Sequence, residues 1–432
     1  VATQSPTEPP PPVPPAPSSA SASSAPTDTA LRGPLRRLLL TSPPANVSMY
    51  LLWGALPGIL LPLQVAELDS ANKTGNLAVI TTLGALAAML TQPLAGALSD
   101  RTRSRYGRRG PWIVGGALIG GLALLGMAAA NTLVQIGIAW VMVQIAYNFV
   151  QGPLTAIMPD RVPRAVRGTF SAVIGFSAML GTMGGQIVAT RFADRIDTGY
   201  VVFAGLALVM LALFVAFNPD RDNRGEPRRP VSIRELARSF WFDPRKHPDF
   251  GWAFLGRLLL NLGYFLITQY QLYLLQEYIG LGDDAIGFVP VLGMATLCAT
   301  LVATAVGGPL SDRLGRRKVF VFAASVVLAV AMAVPWALPT KTGMVLYAAA
   351  AGLGYGLFAT VDSALISEVL PAQEDFGKDL GVVNIAATLP QVLAPGLAGA
   401  VAVALGYSAL FPVGIVLVLC GGLAVAPIKA VR

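Results

Sequence analysis

Twelve apolar blocks dominate the chain, at about 46–66, 74–98, 112–130, 133–157, 169–192, 200–217, 250–276, 285–306, 319–338, 343–369, 380–405 and 409–426. A bilayer crossing takes roughly 20 helical residues, and most of the blocks reach that length. Hydrocarbon offers no partner to an unpaired backbone N–H or C=O. Each block is therefore expected to satisfy its hydrogen bonds within itself, as a helix. Residues are 54% hydrophobic and 12% charged, whereas soluble domains carry about a quarter charged residues. The expectation is an all-α membrane protein of twelve transmembrane helices. A net charge of +8 sits between the apolar blocks, where it orients helices. No nucleic-acid partner is expected.

The connections are short except one. Residues 218–249 form a polar segment halfway along, dividing the helices six and six. The expected layout is a Pro/Ser/Ala-rich disordered tail (1–45), a first bundle (46–217), a connecting loop (218–249) and a second bundle (250–432). Within the loop, Ile233, Leu236 and Phe240 recur at helical spacing opposite Arg234 and Arg238. That pattern fits a helix on the membrane surface over Val231–Phe242, or a loop with one accidental turn. Lone His247, with Cys298 and Cys420 in apolar blocks, gives too few donors for a transition-metal site. The two cysteines read as free thiols.

Charge predicts the orientation. Twenty-six of the 31 cationic residues fall on one side of the alternation, and only Lys73, Arg191, Arg195 and Lys341 on the other. Lys and Arg accumulate in cytoplasmic loops, so both termini are expected in the cytoplasm of a cell in whose inner membrane the protein resides.

The halves repeat. The second-to-third connection reads GALSDRTRSRYGRRGPW from Gly96, and the eighth-to-ninth reads GGPLSDRLGRRKVF from Gly307. Aligning Asp100 with Asp312 matches Ser-Asp-Arg and then Gly-Arg-Arg. Duplicated halves are a common transporter design, with the binding site between them. The motif resembles the signature of the major facilitator superfamily, and the likeness covers the chain after residue 45. It implies two pseudo-symmetric six-helix bundles, alternating access, and a cavity lined by helices 1, 4, 7 and 10. It also implies a cytoplasmic gate of Asp100, Arg101, Arg105, Arg108, Arg109, Asp312, Arg313, Arg316 and Arg317. There the aspartates would accept hydrogen bonds from a facing helix N-terminus, and the arginines would pair with acids across the seam.

A narrower likeness follows. Ser104–Trp112 (SRYGRRGPW) is similar to the same loop in glycoside–pentoside–hexuronide cation symporters and plant sucrose transporters. Leu380-Gly381-Val382-Val383-Asn384 with Leu389-Pro390-Gln391 resembles their eleventh helix. The likeness implies a cation-coupled sugar or glycoside carrier. Sodium-linked members carry carboxylates within helices 2 and 4. Here helix 2 has none before Asp100 and helix 4 offers only Gln144, Asn148 and Gln151, so protons are the expected coupling partner. Exporters of the superfamily carry a Gly-Pro-x-x-Gly stretch in helix 5. This chain has Gly181-Thr182-Met183-Gly184-Gly185 there and Ala394–Gly399 (APGLAG) in helix 11. Small residues at such spacing also serve close helix packing, the preferred reading here.

An ionisable group at mid-span costs roughly 2.5–3.5 kcal/mol on insertion scales, so it marks function. Arg257 in helix 7 and Asp362 in helix 10 are two such groups at equal expected depth, and are expected to form the proton-coupling pair. Arg257, Asn261, Tyr264 and Thr268 share one helix face. Gln144, Asn148 and Gln151 share another, flanked by Tyr147, and Asn384 and Gln391 lie seven apart on helix 11. Apart from Arg257, these are the expected contacts for a neutral hydroxylated solute; interhelical hydrogen bonding is the alternative for each. The chain is thus expected to be a monomeric, cofactor-free secondary transporter rather than an enzyme. Proton-coupled sugar or glycoside uptake is the first reading, with proton-driven drug or metabolite export second and a non-transporting sensor third.

Overall fold

The computed structural model describes residues 33–225, 248–314, 316–369 and 376–428. Among them it is helical throughout, with twelve spans long and apolar enough to cross a membrane. The first six are α1 (Pro34–Leu68), α2 (Lys73–Arg101), α3 (Gly110–Ala128), α4 (Leu133–Arg161), α5 (Arg167–Thr190) and α6 (Ile196–Phe217). The second six are α7 (Pro248–Thr268), α8 (Asp284–Leu314), α9 (Arg317–Ala337), α10 (Lys341–Val369), α11 (Phe376–Leu405) and α12 (Leu410–Ala424). Large apolar side chains such as Leu122, Val134, Ile138 and Val403 are more than half exposed. An apolar outer surface is what a lipid-facing protein presents.

Helix α1 starts well before residue 46, which corrects the expected extent of the disordered tail. Pro34 is tolerated at the first helical position. The Pro43-Pro44 pair removes two backbone donors and reads locally as a boundary. Local and tertiary contacts together override it. Leu38 is buried, Thr41 and Ser42 donate to the carbonyls of Arg37 and Leu38 at 2.8 and 2.7 Å, and Asn218 Nδ2, just past α6, donates to Thr41 Oγ1 at 2.7 Å. The surface helix expected over Val231–Phe242 lies outside the described residues, as does His247. Cys298 and Cys420 are free and exposed.

The two halves pack alike. In the first, α1 packs on α5 and α6, α4 on α2 and α3, and α3 on α6. Adding six to each label gives pairings of the second half: α7 on α11 and α12, α10 on α8 and α9, α9 on α12. Each half also carries a π turn associated with its first helix, Leu56–Leu60 within α1 and Leu274–Tyr278 after α7. The halves meet along α2–α11 and, less extensively, α5–α8.

Lipid supplies no hydrophobic drive between helices, so close packing by small residues matters more. A methyl on Gly54 of α1 would lie 2.0 Å from Thr182 O of α5. Methyls on Gly181 and Gly185 of α5 would lie 2.7 Å from Val47 O and 2.2 Å from Leu51 O. The helix-5 glycines therefore serve the α1 contact. Gly399 of α11 plays the same part at the seam, where an added Cβ would meet Ala78 Cβ of α2 at 2.3 Å.

Gly54→Ala should push α1 off α5 and cost about 1–3 kcal/mol, typical of overpacking, seen as a lower thermal midpoint in detergent. Gly205→Ala on α6, where a new methyl meets nothing within 4 Å, should leave the midpoint unchanged. Equal effects would remove the packing account of these glycines.

Candidate functional site

A cavity of about 510 Å³ opens at the seam between the halves. Trp53 of α1, Thr182 and Gln186 of α5, Tyr264, Phe265 and Thr268 of α7, Gln269 and Gln271 just beyond α7, and Thr296 of α8 give it its polar and aromatic lining. No charged side chain is among its lining residues. Such a wall offers amide and hydroxyl hydrogen bonds beside flat apolar ring faces. The Gln186 side-chain oxygen is buried and would lie 2.3 Å from a Cβ built on Gly293 of α8. The bare glycine thus makes room for the amide across the seam.

The residues named from sequence distribute unevenly. Tyr264 and Thr268 line the cavity. Gln151 acts one step back, accepting from Trp53 Nε1 at 3.2 Å. Gln144 packs near Gly84 of α2, and Asn148 turns its amide onto the Gln144 carbonyl of its own helix at 2.8 Å. Tyr147 is fully buried against Gly120 of α3, where an added Cβ would lie 2.7 Å from its ring. It packs inside the first bundle, which corrects its placement in the binding set: one position along a helix turns a side chain by about 100°. Gln391 is exposed on α11, and the side chain of Asn384 lies outside those described. Sequence reasoning missed Trp53, Thr182, Gln186, Phe265, Gln269, Gln271 and Thr296. Isolated amides and one tryptophan near apolar spans were the available signal.

Arg257 and Asp362 do meet. Arg257 Nη1 lies 3.3 Å from Asp362 Oδ2, with side chains 19% and 7% exposed. One turn farther along α7, Asn261 Nδ2 donates to the Arg257 carbonyl at 2.8 Å, and Tyr355 of α10 donates to Asn261 Oδ1 at 3.3 Å. Tyr264 stacks on Tyr355 with ring centroids 4.1 Å apart. A ladder of charge, amide and ring contacts thus braces α7 against α10 and ends at the cavity wall. Arg257 Nε is buried without a hydrogen-bond partner among the described residues, so the guanidinium is only partly satisfied.

Contacts between the halves gather at the sparsely charged end. Lys73 at the start of α2 pairs with Glu277 beyond α7 at 2.6 Å. Thr74 and Tyr407 hydroxyls lie 2.6 Å apart. Tyr270 donates to Thr74 O at 3.1 Å and Tyr273 to Pro62 O at 2.7 Å.

At the basic end, the first motif copy is bound into its own half. Arg109 Nη2 pairs with Asp100 at 2.6 Å and with Asp160, at the end of α4, at 3.1 Å. Arg108 also pairs with Asp160, at 2.8 Å. Asp220, just past α6, pairs with Arg161 at 2.7 Å and accepts the backbone N–H groups of Arg108 and Arg109 at 3.0 and 3.2 Å. The carboxylate at a helix N-terminus is therefore Asp220, at the mouth of α3, where Asp100 was expected to accept such bonds. The partners described for Arg108 and Arg109 belong to the same half, whereas the expectation was pairing across the seam. The reason is topological: α4 and α6 both end beside this loop, each with a Pro-Asp-Arg triplet (159–161 and 219–221). Arg101 is half-buried, while Arg105 lies over the neighbouring Tyr106 ring. In the second copy Arg313 and Arg316 are exposed and Arg317 opens α9; the Asp312 side chain lies outside those described. No cluster of three His, Cys, Asp or Glu fit to hold a metal occurs among the described residues.

Comparison with known proteins places these features in context. A family described as MFS/sugar transport protein matches residues 75–410. The chain is 25% identical over 242 residues to the MFS transporter asaE of Aspergillus flavus, covering 54% of this chain and 51% of the relative. It is 30% identical over 173 residues to the sucrose transport protein SUC4 of Arabidopsis thaliana (35% and 33% covered). It is 24% identical over 262 residues to the lactose permease of Leuconostoc lactis (52% and 40% covered). The matched chain thus spans about half the length or less of these curated relatives. Among solved structures, the nucleoside transporter NupG (D323A mutant) superposes with a TM-score of 0.74 at 14% identity, over 90% of this chain and 99% of that one. At that identity the likeness concerns the fold.

Burial opposes the charged form of Asp220, but Arg161 and the two N–H groups outweigh it and hold the carboxyl below its usual value. A carboxylate with a lowered folded-state pKa contributes stability above its unfolded value, about 3.9, and loses it as pH falls through the folded value. The thermal midpoint of the wild type should therefore exceed that of Asp220→Asn at neutral pH. The gap should close as pH drops below the ordinary carboxylate range. A gap independent of pH would show that charge is not what Asp220 contributes.

Proposed function

The chain belongs to the MFS/sugar transport family, and on that premise we propose that it is a secondary transporter carrying a sugar or glycoside by alternating access, driven by protons. The observation that carries the reading is the uncharged seam cavity. At about 510 Å³ it falls in the range of small-ligand sites. Its amides and hydroxyls suit a neutral polyol, and Trp53 and Tyr264 suit the apolar faces of sugar rings. The names of two relatives, a sucrose transport protein and a lactose permease, point to the same solute class.

Orientation follows from charge. With Lys and Arg concentrated on one side, the basic end faces the cytoplasm of a cell whose inner membrane holds the protein. The contacts around Lys73, Thr74, Tyr270 and Tyr273 then form an outer closure. The motif arginines stiffen the cytoplasmic end of the first half, so that the half rocks as one body against the second copy of the motif. Arg257 and Asp362 form the coupling element. Asp362 takes the proton, and its neutralisation releases Arg257 and loosens α7 from α10 beside the cavity. Removing one member of a buried pair strands the other at a cost of about 3–5 kcal/mol, so the pair holds one conformation until the proton arrives.

Proteoliposomes given a panel of labelled sugars should accumulate at least one of them under a pH gradient that drives protons inward. Silence across the panel with gradients of either sign would end the sugar reading. Asp362→Asn should abolish accumulation while sparing equilibrium exchange, and pairing it with Arg257→Gln should restore stability without restoring accumulation. Uphill transport by Asp362→Asn would remove Asp362 from the coupling step and leave the solute assignment standing.

A further inference from the structure

The seam cavity is not the largest concavity. At the basic end, a second cavity of about 840 Å³ lies between the start of α1, the α2–α3 loop, the end of α4 and the segment after α6. Five guanidiniums line it, from Arg37, Arg108, Arg109, Arg161 and Arg221, against two carboxylates, Asp160 and Asp220. The carboxylates are already engaged. Asp160 holds Arg108 and Arg109, and Asp220 holds Arg161 and two backbone N–H groups. Arg37 and Arg221 are exposed and make no ion pair among the described residues. The cavity therefore carries excess positive charge on two exposed side chains above a floor fixed by ion pairs, one of whose arginines, Arg109, is 7% exposed.

The local backbone adds to the imbalance. Helix α1 opens without a side-chain cap and without an acidic residue in its first turn. Arg36 and Arg37 occupy that turn instead, although the positive end of a helix dipole disfavours cations. An anion in the cavity would offset both the dipole and the two unpaired arginines. Its shape is suggested by the donors: guanidinium forks pair bidentately with planar or tetrahedral oxyanions, phosphate foremost. All of these residues belong to the first half, so the site would persist while the halves rock.

We propose that this cavity binds a phosphate-bearing anion, held by Arg37 and Arg221. The headgroup of an acidic phospholipid and free inorganic phosphate share that chemistry. Basic pockets where helices leave the bilayer suit the former.

The test uses the full chain purified in neutral detergent. Its thermal midpoint is measured with added phosphatidylglycerol or phosphatidylcholine, and with inorganic phosphate or chloride at equal ionic strength. The wild type and the Arg37→Gln/Arg221→Gln double variant are compared. A rise with phosphatidylglycerol alone identifies the lipid, a rise with phosphate alone identifies the free ion, and the double variant should need roughly tenfold more of the active anion for the same rise. An equal response in the double variant overturns the site, because the effect then comes from other arginines. Should the double variant fail to fold, lipid retention by the wild type in native mass spectrometry decides. Preferential retention of phosphatidylglycerol that added phosphate displaces supports the site; equal retention of the two lipids with no response to phosphate overturns it.

Discussion

A peptide group inside a bilayer has no water to bond, and nearly every other feature of this molecule follows from that. Each span must satisfy its own backbone, so the described chain is helical. Where the ladder is interrupted, at the π turns Leu56–Leu60 and Leu274–Tyr278, the break falls against protein. Tyr273, just before the second turn, shows how, donating its hydroxyl to the Pro62 carbonyl of the other half. With backbones closed and lipid as apolar as leucine, helices hold one another through surface fit. That is the role of Gly54, Gly181 and Gly185, which let α1 and α5 approach until a single methyl would collide with backbone.

The same solvent sorts the polar residues. Charge is expensive in the spans and cheap at their ends, so ion pairs concentrate beyond the apolar stretches, and Arg257–Asp362 is a described pair at depth. At the basic end the pairs form a web within one half. Asp160 and Asp220 arrive from the ends of α4 and after α6, and tie the α2–α3 loop to both. A half knitted in this way is braced at its basic end, as the proposed rocking about a central site would require.

The seam is uneven. Contact along α2–α11 is extensive, with Gly399 set against Ala78, while α5–α8 touch more lightly and the uncharged cavity opens beside them. The two ends differ as well. Lys73–Glu277 and three tyrosine hydroxyls link the halves at one end, whereas at the other Arg108, Arg109 and Arg161 pair with acids of their own half. A ladder from Asp362 through Arg257, Asn261 and Tyr355 to Tyr264 joins the deep charge pair to the cavity wall.

Helix number, the six-and-six division and the repeated motif were legible in the chain, because they depend on apolar block length and on spacing, which are local and one-dimensional. The Arg257–Asp362 pair was legible too, because two rare opposite charges within apolar spans have few other places to go. The start of α1 was not: Pro43-Pro44 reads locally as an end, and contacts distant in sequence, such as that from Asn218, help hold the helix through it. The binding set was partly misjudged for a similar reason. Periodicity groups Gln144, Tyr147, Asn148 and Gln151 near one face but does not say which neighbour that face meets. Packing sent Tyr147 toward Gly120 and Gln151 toward Trp53. By itself, then, the sequence determined that this chain spans a membrane as two related bundles and which two opposite charges within the spans would meet. The tertiary structure alone decided which polar groups face the seam, because that depends on the rotation and closeness of helices distant in sequence, set by glycine contacts and ion pairs rather than by any local pattern.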